Sequence, residues 1–409
     1  MKRPRFARNV AMLGLVSLLN DSSSEMIFPL LPAFVTSVLG GSLFSLGIIE
    51  GVAETANGAF KFLFGKLSDA SGRRKPFVIA GYSVSWLAKL SIAFATGWPT
   101  VLASRFSDRL GKGIRTAPRD ALLAASAPAE SMGASFGLQR ALDNLGAVIG
   151  PLAASAVLWL LVGGRAGSPF ATASLPPAVL AGSLRKLFLI AAMPTLLAVA
   201  LGSVFVVERA KKASAETGPA HSWRAVKPLL PFLVPLVLFS LGNSSDVFVL
   251  MRARDLGMPI AAVPLLWMVH NLTITVLSVH GGWASDRFGR KSLLLGGWLV
   301  YAAAYAGFAA AGASWQMWPL MILYGFFFGM TEGTERALVA DLVRDRRATG
   351  YGVYNLSVSV CALPSSLLIA WLWERLGPAV AFGTGAGLAL AAAALLGPAL
   401  SLAKRLGEH

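Results

Sequence analysis

Apolar segments about the length of a membrane-spanning helix recur along the whole chain, separated by short polar stretches. A helix needs about 20 predominantly apolar residues to cross the hydrocarbon core of a bilayer. The pattern predicts twelve spans. They are residues 9–36, 43–65, 76–95, 99–122, 133–160, 185–207, 228–251, 260–283, 292–312, 316–340, 349–373 and 378–403. The sequence therefore predicts an all-α polytopic membrane protein.

The two halves of the chain have related sequences. The segment "GKLSDASGRRK" (65–75) matches "GWASDRFGRK" (282–291), with Asp69 aligned to Asp286 at an offset of 217 residues. The same offset aligns Leu39-Gly40 with Leu256-Gly257, Arg119 with Arg336, and Gly133 with Gly350. Six spans in each half give two bundles of the same orientation, related by a pseudo-twofold axis along the membrane normal. We predict an N-terminal bundle at 1–207, a cytoplasmic linker at 208–227 and a C-terminal bundle at 228–409.

Basic residues are concentrated on one side of the predicted topology. The formal net charge is +16, although only 14% of the residues are charged. Twenty-one lysines and arginines lie at the termini or in connections on one side of the spans, and six lie in connections on the opposite side. Because positive residues mark the cytoplasmic face, both termini are predicted to be cytoplasmic, in a multi-pass protein of a bacterial inner membrane. The basic excess thus reflects topology, and no nucleic-acid partner is predicted.

Several classes of chemistry lack their sequence signals. Cys361 is the only cysteine, which excludes an internal disulfide and a metal site built from paired cysteines. The chain has no HExxH, GxSxG or phosphate-binding loop motif. We therefore expect neither an enzyme nor a nucleotide-driven pump, and we expect no metal and no cofactor.

The repeated loop motif points to a known family. "GKLSDASGRRK", its echo at 282–291 and the twelve spans resemble the major facilitator superfamily over the full length of the chain. The resemblance implies two pseudo-symmetric six-helix halves, with helices 1, 4, 7 and 10 around a water-filled path. It also implies a cytoplasmic charge network that holds the outward-open state. To this gate we assign Asp69, Gly72, Arg73, Arg74, Asp286 and Arg290, together with Arg119 and Arg336 near cytoplasmic span ends.

Helix 5 contains a second family motif. "GAVIGPLAAS" (146–155) resembles the antiporter motif of drug–proton exporters, with Gly146, Gly150 and Pro151 at matching positions and the last two glycines replaced. "PLLP" (29–32) resembles the helix 1 motif of the same exporters. Lys112 departs from the neutral polar residue of their helix 4 motif, which argues for a more specific cargo than that of a multidrug exporter. Tight helix packing is the alternative explanation of small residues at this spacing.

Eighteen charged residues remain at span depth once the connections are set aside, nine of each sign. A charge at the centre of a span costs about 2.5–3.5 kcal/mol, so most of these residues must pair or face water. On helix 4, six of them fall within about 120° of one another at about 100° per residue. They are Arg105, Asp108, Arg109, Lys112, Arg115 and Arg119. We therefore expect helix 4 to line an aqueous path.

A buried carboxyl group binds a proton more readily than one in water, and a nearby arginine opposes that binding. An acid whose distance to an arginine changes between two states can therefore carry a proton, as expected for Glu25 facing Arg109 or Asp143 beside Arg140. The proton-coupling candidates are Glu25, Asp21, Asp143, Glu50, Glu54 and Asp246, with Glu25 ranked first because it precedes "PLLP" and Asp246 is its counterpart. The substrate-binding candidates are Arg105, Asp108, Arg109, Lys112, Arg140, Asn144, Asn243, His270, Asn271, Glu332 and Glu335. A structural role in helix pairing is the alternative for each.

Together these features predict a secondary active transporter that exports a small amphiphilic or charged molecule in exchange for protons. We expect it to work as a monomer in the lipid bilayer. Three alternatives stay open: a proton symporter that imports an anionic or zwitterionic nutrient, a lipid flippase, and a membrane sensor that transports nothing. The cationic stripe of helix 4 favours an anionic or zwitterionic cargo, and the helix 5 motif favours export.

Overall fold

The computed structural model describes residues 8–71, 73–127, 132–162, 175–208, 227–343 and 347–407, and no strand occurs in these ranges. Twelve long helices follow one another in this part of the chain. They are α1 (Arg8–Ile27), α2 (Leu43–Ser71), α3 (Lys75–Ala93), α4 (Trp98–Ser126), α5 (Met132–Val162), α6 (Pro177–Phe205), α7 in two segments (Leu230–Gly242 and Val247–Asp255), α8 (Ala262–Phe288), α9 (Arg290–Ala310), α10 (Met317–Leu342), α11 (Arg347–Leu376) and α12 (Pro378–Gly407). The predicted all-α architecture is confirmed.

Seven of these helices have both the length and the hydropathy of a membrane span, among the described residues. They are α3, α5, α6, the two segments of α7 taken together, α9, α11 and α12. The others include α2, α4 and α10, in which charged residues interrupt the apolar sequence. Charged side chains thus distinguish these helices from simple apolar spans.

Three spans differ from the prediction: one begins earlier, and two are not continuous helices. α6 begins at Pro177, eight residues before the predicted start at 185, because proline fits the first position of a helix without losing a hydrogen bond. α7 is interrupted at 243–246, where Asn243 leaves the helical backbone conformation. Beyond α1, the chain forms a 3₁₀ turn over Phe28–Leu30 and a wider π turn over Phe34–Val38. The prolines of "PLLP" explain this irregularity, because proline donates no backbone hydrogen bond.

The internal repeat is also visible in the backbone conformation. Gly40 and Gly257, which the offset of 217 aligns, have positive φ angles of 66° and 81°. A residue with a side chain pays roughly 1–2 kcal/mol for this left-handed conformation, whereas glycine adopts it freely. Both glycines follow the first span of their half, so the two halves leave that span through the same turn.

The chain forms two compact units. The first consists of Met1–Ser42, Ala56–Glu216 and Pro259–Met268, and the second of Leu43–Thr55, Thr217–Met258 and Val269–His409. The first unit therefore includes the beginning of α8, and the second includes the beginning of α2.

The two units have cores of different composition. In the first unit, buried aliphatic residues such as Val10, Leu13 and Leu123 pack around Tyr82. The core of the second unit contains a cluster of aromatic rings. Its rings come from α7, α9, α10 and α12, and include Phe239, Trp298, Tyr301, Tyr305, Phe308, Tyr324, Phe327 and Phe382. Packing between these rings fixes the orientation of the tyrosine hydroxyls and of the tryptophan N–H group.

Candidate functional site

The charged stripe of α4 faces the protein interior. Arg105, Asp108 and Arg115 are each exposed by 6% or less, whereas Ala103 and Phe106 on the same helix are exposed. Arg109 and Lys112 are half-buried. α4 therefore brings several charges together inside the first unit.

Arg105 and Asp108 form a loose ion pair within this stripe. Arg105 Nη1 lies 4.0 Å from Asp108 Oδ2, and the guanidinium also lies over the ring of Phe28, 5.6 Å from its centroid. Asp108 Oδ1 has no hydrogen-bond partner among the described residues. The buried acid is thus only partly satisfied by its own helix.

Arg115 connects α4 with α3. Its Nη1 donates to Ser85 Oγ at 2.6 Å, and its guanidinium lies 4.7 Å from the centroid of the Tyr82 ring. These contacts fit a structural role for this arginine.

Glu25 on α1 is bound by a tryptophan from the beginning of α8. Trp267 Nε1 donates to Glu25 Oε2 at 2.6 Å, and the indole ring lies 5.0 Å from the ring of Phe28. A second contact at the same end of α8 is the hydrogen bond from Ser155 Oγ to Ala261 O, at 2.7 Å. α1 and α5 therefore both hold the start of α8.

The glycines of the helix 5 motif pack directly against the acids of α1. A Cβ atom at Gly146 would lie 2.7 Å from Leu18 O and 3.2 Å from Asp21 Cβ. A Cβ atom at Gly150 would lie 2.8 Å from Glu25 Cβ. Only glycine permits this approach, so the motif places the backbone of α5 beside both Asp21 and Glu25. Pro151 follows in the buried part of α5.

Lys89 is a buried cation that joins three helices. Its Nζ donates to Asn20 O and Asn20 Oδ1, each at 3.0 Å, and to Thr195 Oγ1 at 2.9 Å. Asn20 Nδ2 in turn donates to Asp21 Oδ1 at 3.0 Å. Lys89 is thus linked through Asn20 to one of the candidate acids.

Arg119 joins α4 with α1 and α5. Its Nη1 donates to Ser17 Oγ at 2.7 Å and lies 3.8 Å from Asp143 Oδ2, while Gln139 Nε2 donates to Asp143 Oδ1 at 2.9 Å. Arg119 also pairs with its neighbour Asp120 at 3.0 Å. Arg119 is thus a cation of α4 that pairs with Asp143 of α5.

The other polar candidates on α5 are less enclosed. Arg140 has an exposed side chain, and Asn144 is half-buried.

In the second unit, Asp246 lies at the break of α7 and is bound by α10. Tyr324 OH donates to Asp246 Oδ1 at 2.6 Å. The ring of His270 stacks on Tyr324 at 5.0 Å, and His270 Nδ1 lies 3.4 Å from Met321 O. His270 is 1% exposed, whereas Asn243 and Asn271 are half-buried.

The two acids of α10 have different partners. Glu332 Oε1 lies 3.3 Å from Arg336 Nη2, in a partly exposed pair. Glu335 instead accepts a hydrogen bond from Tyr354 OH at 2.6 Å and a longer one from Trp298 Nε1 at 3.5 Å.

The acids of α2 lie near the contact of α2 with α11. Glu50 is 1% exposed and Glu54 is half-buried. Thr55 Oγ1 donates to Ser359 O at 3.0 Å, and the backbone N–H of Phe44 donates to Glu374 Oε1 at 2.9 Å. These hydrogen bonds hold the first turns of α2 against α11 inside the second unit.

The candidate gate residues lie at helix ends. Arg74 Nη1 donates to Ala121 O at 3.1 Å, and Arg73 is exposed. Arg290 Nε donates to Asp341 Oδ2 at 2.9 Å. Gly72 lies outside the described residues, as do the side chains of Asp69 and Asp286.

Glu208 is a residue at this end of the first unit that the sequence did not single out. Its Oε1 accepts the backbone N–H groups of Arg74 and of Lys75, the latter at 3.3 Å. It thereby satisfies donors at the first turn of α3, where a carboxylate is favoured by the helix dipole. The acid is far from α3 in sequence, so no local pattern indicated this contact.

The residues 13–363 and 226–405 match the family profile of the Major Facilitator Superfamily. The chain belongs to this superfamily. It is a multi-pass membrane transporter, as the family and the apolar helices together indicate. Among the residues described in the transporter, no group of histidine, cysteine and acidic side chains could hold a metal ion.

Similar proteins agree with this assignment. An uncharacterized MFS-type transporter from Methanocaldococcus jannaschii is 34% identical over 398 residues, which cover 95% of this chain and 94% of that one. The crystal structure of a D-xylose-proton symporter has a TM-score of 0.74 at 16% identity, with 95% of this chain and 96% of that chain covered. The multidrug resistance protein MdtH of Klebsiella pneumoniae is 32% identical over 99 residues, 24% of this chain and 25% of its own. The expected major facilitator fold is confirmed.

Proposed function

We propose that this transporter is a proton-coupled exporter of a small amphiphilic anion or zwitterion. It would act as a monomer in a bacterial inner membrane, with both termini in the cytoplasm. The observation that supports this proposal most directly is the hydrogen bond from Trp267 to Glu25. It joins the carboxylate of Glu25 to a neutral donor on another helix, so protonation of the carboxylate would change the contact between the two helices.

Protonation of Glu25 would change the strength of its contact with Trp267. A hydrogen bond to an ionised acceptor is about twice as strong as one between neutral groups. A proton on Glu25 would therefore weaken the attachment of the beginning of α8 to α1. Two conformations that differ in this contact would then have different proton affinities, and proton binding would shift the population between them.

The contact of α5 with α1 links this proton site to the export motif. Gly146 and Gly150 bring α5 against Asp21 and Glu25. Any movement of α5 during transport would therefore change the surroundings of both acids. The resemblance of this motif to drug–proton exporters and the short similarity to a multidrug resistance protein both favour export.

The proposed cargo follows from the cations of α4. Arg105 is a buried cation that lies 4.0 Å from Asp108, and its positive charge favours an anionic group on the cargo. Phe28 and Trp267 supply apolar surface beside it. Further proposed contacts to the cargo are Arg109, Lys112, Arg140, Asn144, Asn243, His270, Asn271 and Glu332.

The remaining polar residues are assigned to coupling and gating. Asp21, Asp143, Glu50, Glu54 and Asp246 are further candidates for proton binding. The proposed cytoplasmic gate consists of Asp69, Gly72, Arg73, Arg74, Asp286, Arg290, Arg119 and Arg336. The contacts of Arg74 with α4 and of Arg290 with Asp341 provide anchoring points for such a gate.

A vesicle experiment tests the function. Amphiphilic anions and zwitterions are first screened by thermal shift at two pH values, and each hit is then applied to sealed vesicles that contain the purified protein and a pH-sensitive dye. With an acidic lumen, a hit should enter the lumen as protons leave in wild-type vesicles oriented with the cytoplasmic face outward. Glu25→Gln should bind the hit but abolish this proton efflux. Glu374→Gln removes an exposed carboxylate at the end of α11 but keeps an oxygen that can accept the N–H of Phe44, so it should behave as the wild type.

Two results would contradict the proposal. Proton efflux that persists in Glu25→Gln would remove Glu25 from the coupling path. Movement of cargo and protons in the same direction would identify an importer by symport.

A further inference from the structure

We infer that Glu335 is a second proton-binding site, and that it binds a proton rather than cargo. The inference rests on the proposed proton coupling of the transporter, but it concerns a carboxyl group in the other unit. The juxtaposition that points to it is a buried carboxylate held between the Tyr354 hydroxyl and the Trp298 indole.

Glu335 is enclosed by three helices. Its side chain projects from α10, Tyr354 belongs to α11 and Trp298 to α9. Glu335 is 9% exposed and Trp298 is 0% exposed. The indole of Trp298 is stacked on Phe239, with ring centroids 4.8 Å apart and planes 8° from parallel. This stacking holds the N–H of Trp298 in place.

The charged and titratable groups around Glu335 do not neutralise it by an ion pair in the described part of the chain. On its own helix, Arg336 is paired with Glu332 and its side chain is 62% exposed. On α11, Tyr354 donates to Glu335, while Tyr351 OH donates to Arg336 O. On α9, Tyr301 follows Trp298 by three residues, and its hydroxyl donates to Gly242 O at 2.8 Å. From α7, the uncharged ring of Phe239 stacks on Trp298. A single buried charge without a counter-ion is costly, and a proton removes that charge.

Both protonation states of Glu335 can be satisfied by the same two partners. A tyrosine hydroxyl is both a donor and an acceptor, whereas the tryptophan N–H only donates. In the ionised state, Tyr354 donates to one carboxylate oxygen and Trp298 to the other. In the protonated state, the acid can donate to the Tyr354 oxygen while its carbonyl oxygen still accepts from Trp298. The pocket thus accommodates a proton by rotation of one hydroxyl group.

Glu332 provides a route for this proton. It precedes Glu335 by three residues on α10, a spacing that places Cβ atoms about 5–6 Å apart on one helix face. Its side chain is 34% exposed, so its carboxyl group can exchange protons with water. The transfer forms an O–H bond on Glu335 and breaks one on Glu332, which then regains a proton from a hydronium ion, leaving water. No other reactant is required.

Infrared difference spectroscopy tests the site without a transported molecule. The full-length protein in detergent is brought from alkaline to acidic pH, and the carbonyl stretch of protonated carboxylic acids is recorded together with proton uptake from a weakly buffered dye solution. Glu335→Gln should remove one buried carboxylic acid band and reduce uptake by about one proton per chain. Asp341→Asn, which alters a 56% exposed carboxylate on the same helix, should leave the buried band in place. A wild-type band and proton count in Glu335→Gln would overturn the inference.

A second variant keeps the test independent of how well Glu335→Gln folds. Tyr354→Phe should retain the band but shift its frequency, because the carboxylic acid loses its hydrogen bond to the hydroxyl. An unshifted band would also overturn the inference. Glu25→Gln separates the two proposals. If its spectrum and proton count equal those of the wild type, Glu25 binds no proton in this pH range. The proposed coupling through Glu25 then fails, whereas the Glu335 band remains and the second proton site stands.

Discussion

Replacement of Gly150 by alanine should weaken the packing of α5 on α1. The added Cβ atom would lie 2.8 Å from Glu25 Cβ and closer still to Ser22 O. Carbon atoms pack best at about 3.5–4.0 Å, so the helices must separate by about 0.7–1.2 Å at this point. Neither neighbouring atom is the flexible end of a side chain, so neither can turn away. Overpacking of this kind costs about 1–3 kcal/mol.

The single cysteine makes this loss of stability measurable. Cys361 is 5% exposed, so a thiol-reactive fluorescent dye labels it when the protein unfolds. Purified protein in detergent is heated with the dye, and the unfolding midpoint of Gly150→Ala should lie several degrees below that of the wild type. The same displacement of Glu25 should reduce proton coupling in vesicles.

Gly137→Ala on the same helix is the matched control. Apart from its chain neighbours and the nearby backbone of its own helix, no described atom lies within 4 Å of a Cβ built at Gly137. Its midpoint should be unchanged or slightly raised, because alanine stabilises a helix by about 0.8–1.0 kcal/mol relative to glycine. Equal midpoints for Gly150→Ala and Gly137→Ala would refute the close approach of α5 to α1.

Three further predictions use the same dye assay. Lys89→Met should lower the unfolding midpoint, because the acceptors on α1 and α6 lose their buried donor at a cost of about 1–3 kcal/mol. The control is Lys186→Met, which alters an exposed lysine. An equal effect of the two variants would contradict the role of Lys89. Arg252→Gln should also lower it, since Arg252 donates to Phe308 O at 3.2 Å and to Ala311 O at 2.6 Å at the end of α9; an unchanged midpoint would show that this end needs no such cap. Thr55→Val should cost about 0.5–1.5 kcal/mol through its lost hydrogen bond to α11, while Thr55→Ser should retain it; similar midpoints for the two variants would exclude that bond.

The sequence predicted the spans well because the bilayer requires long apolar helices with internally satisfied backbones. It predicted the break in α7 less well, since hydropathy stays high on both sides of Asn243. The prolines at 29 and 32 indicate that the helix is irregular there, but they do not specify whether the backbone forms a 3₁₀ turn or a π turn. The shape of a span therefore depends on neighbouring helices as well as on its own composition.

The candidate site was predictable in its residue types and less so in its pairs. Helical periodicity placed the charges of α4 on one face, and the buried side chains of Arg105, Asp108 and Arg115 agree with that pattern. Periodicity relates only residues of the same helix, so Arg140 was expected beside Asp143, three residues away. The structure also has an ion pair between Asp143 and Arg119 of α4, which periodicity within α5 does not indicate. Such a contact depends on the rotation of one helix against another, which one sequence does not specify.

The interruption of α7 has a mechanical consequence. Asp246, at this interruption, is the counterpart of Glu25, and the tighter turn of Phe28–Leu30 begins three residues after Glu25. Helices bend most easily where the regular ladder of backbone hydrogen bonds is broken, and short 3₁₀ stretches often mark such joints. The first span of each repeat thus contains a point where its helix can bend, and the two points lie within about one helical turn of corresponding positions. Bending at these joints can be absorbed locally, so the remaining helices of each bundle can tilt as stiff bodies.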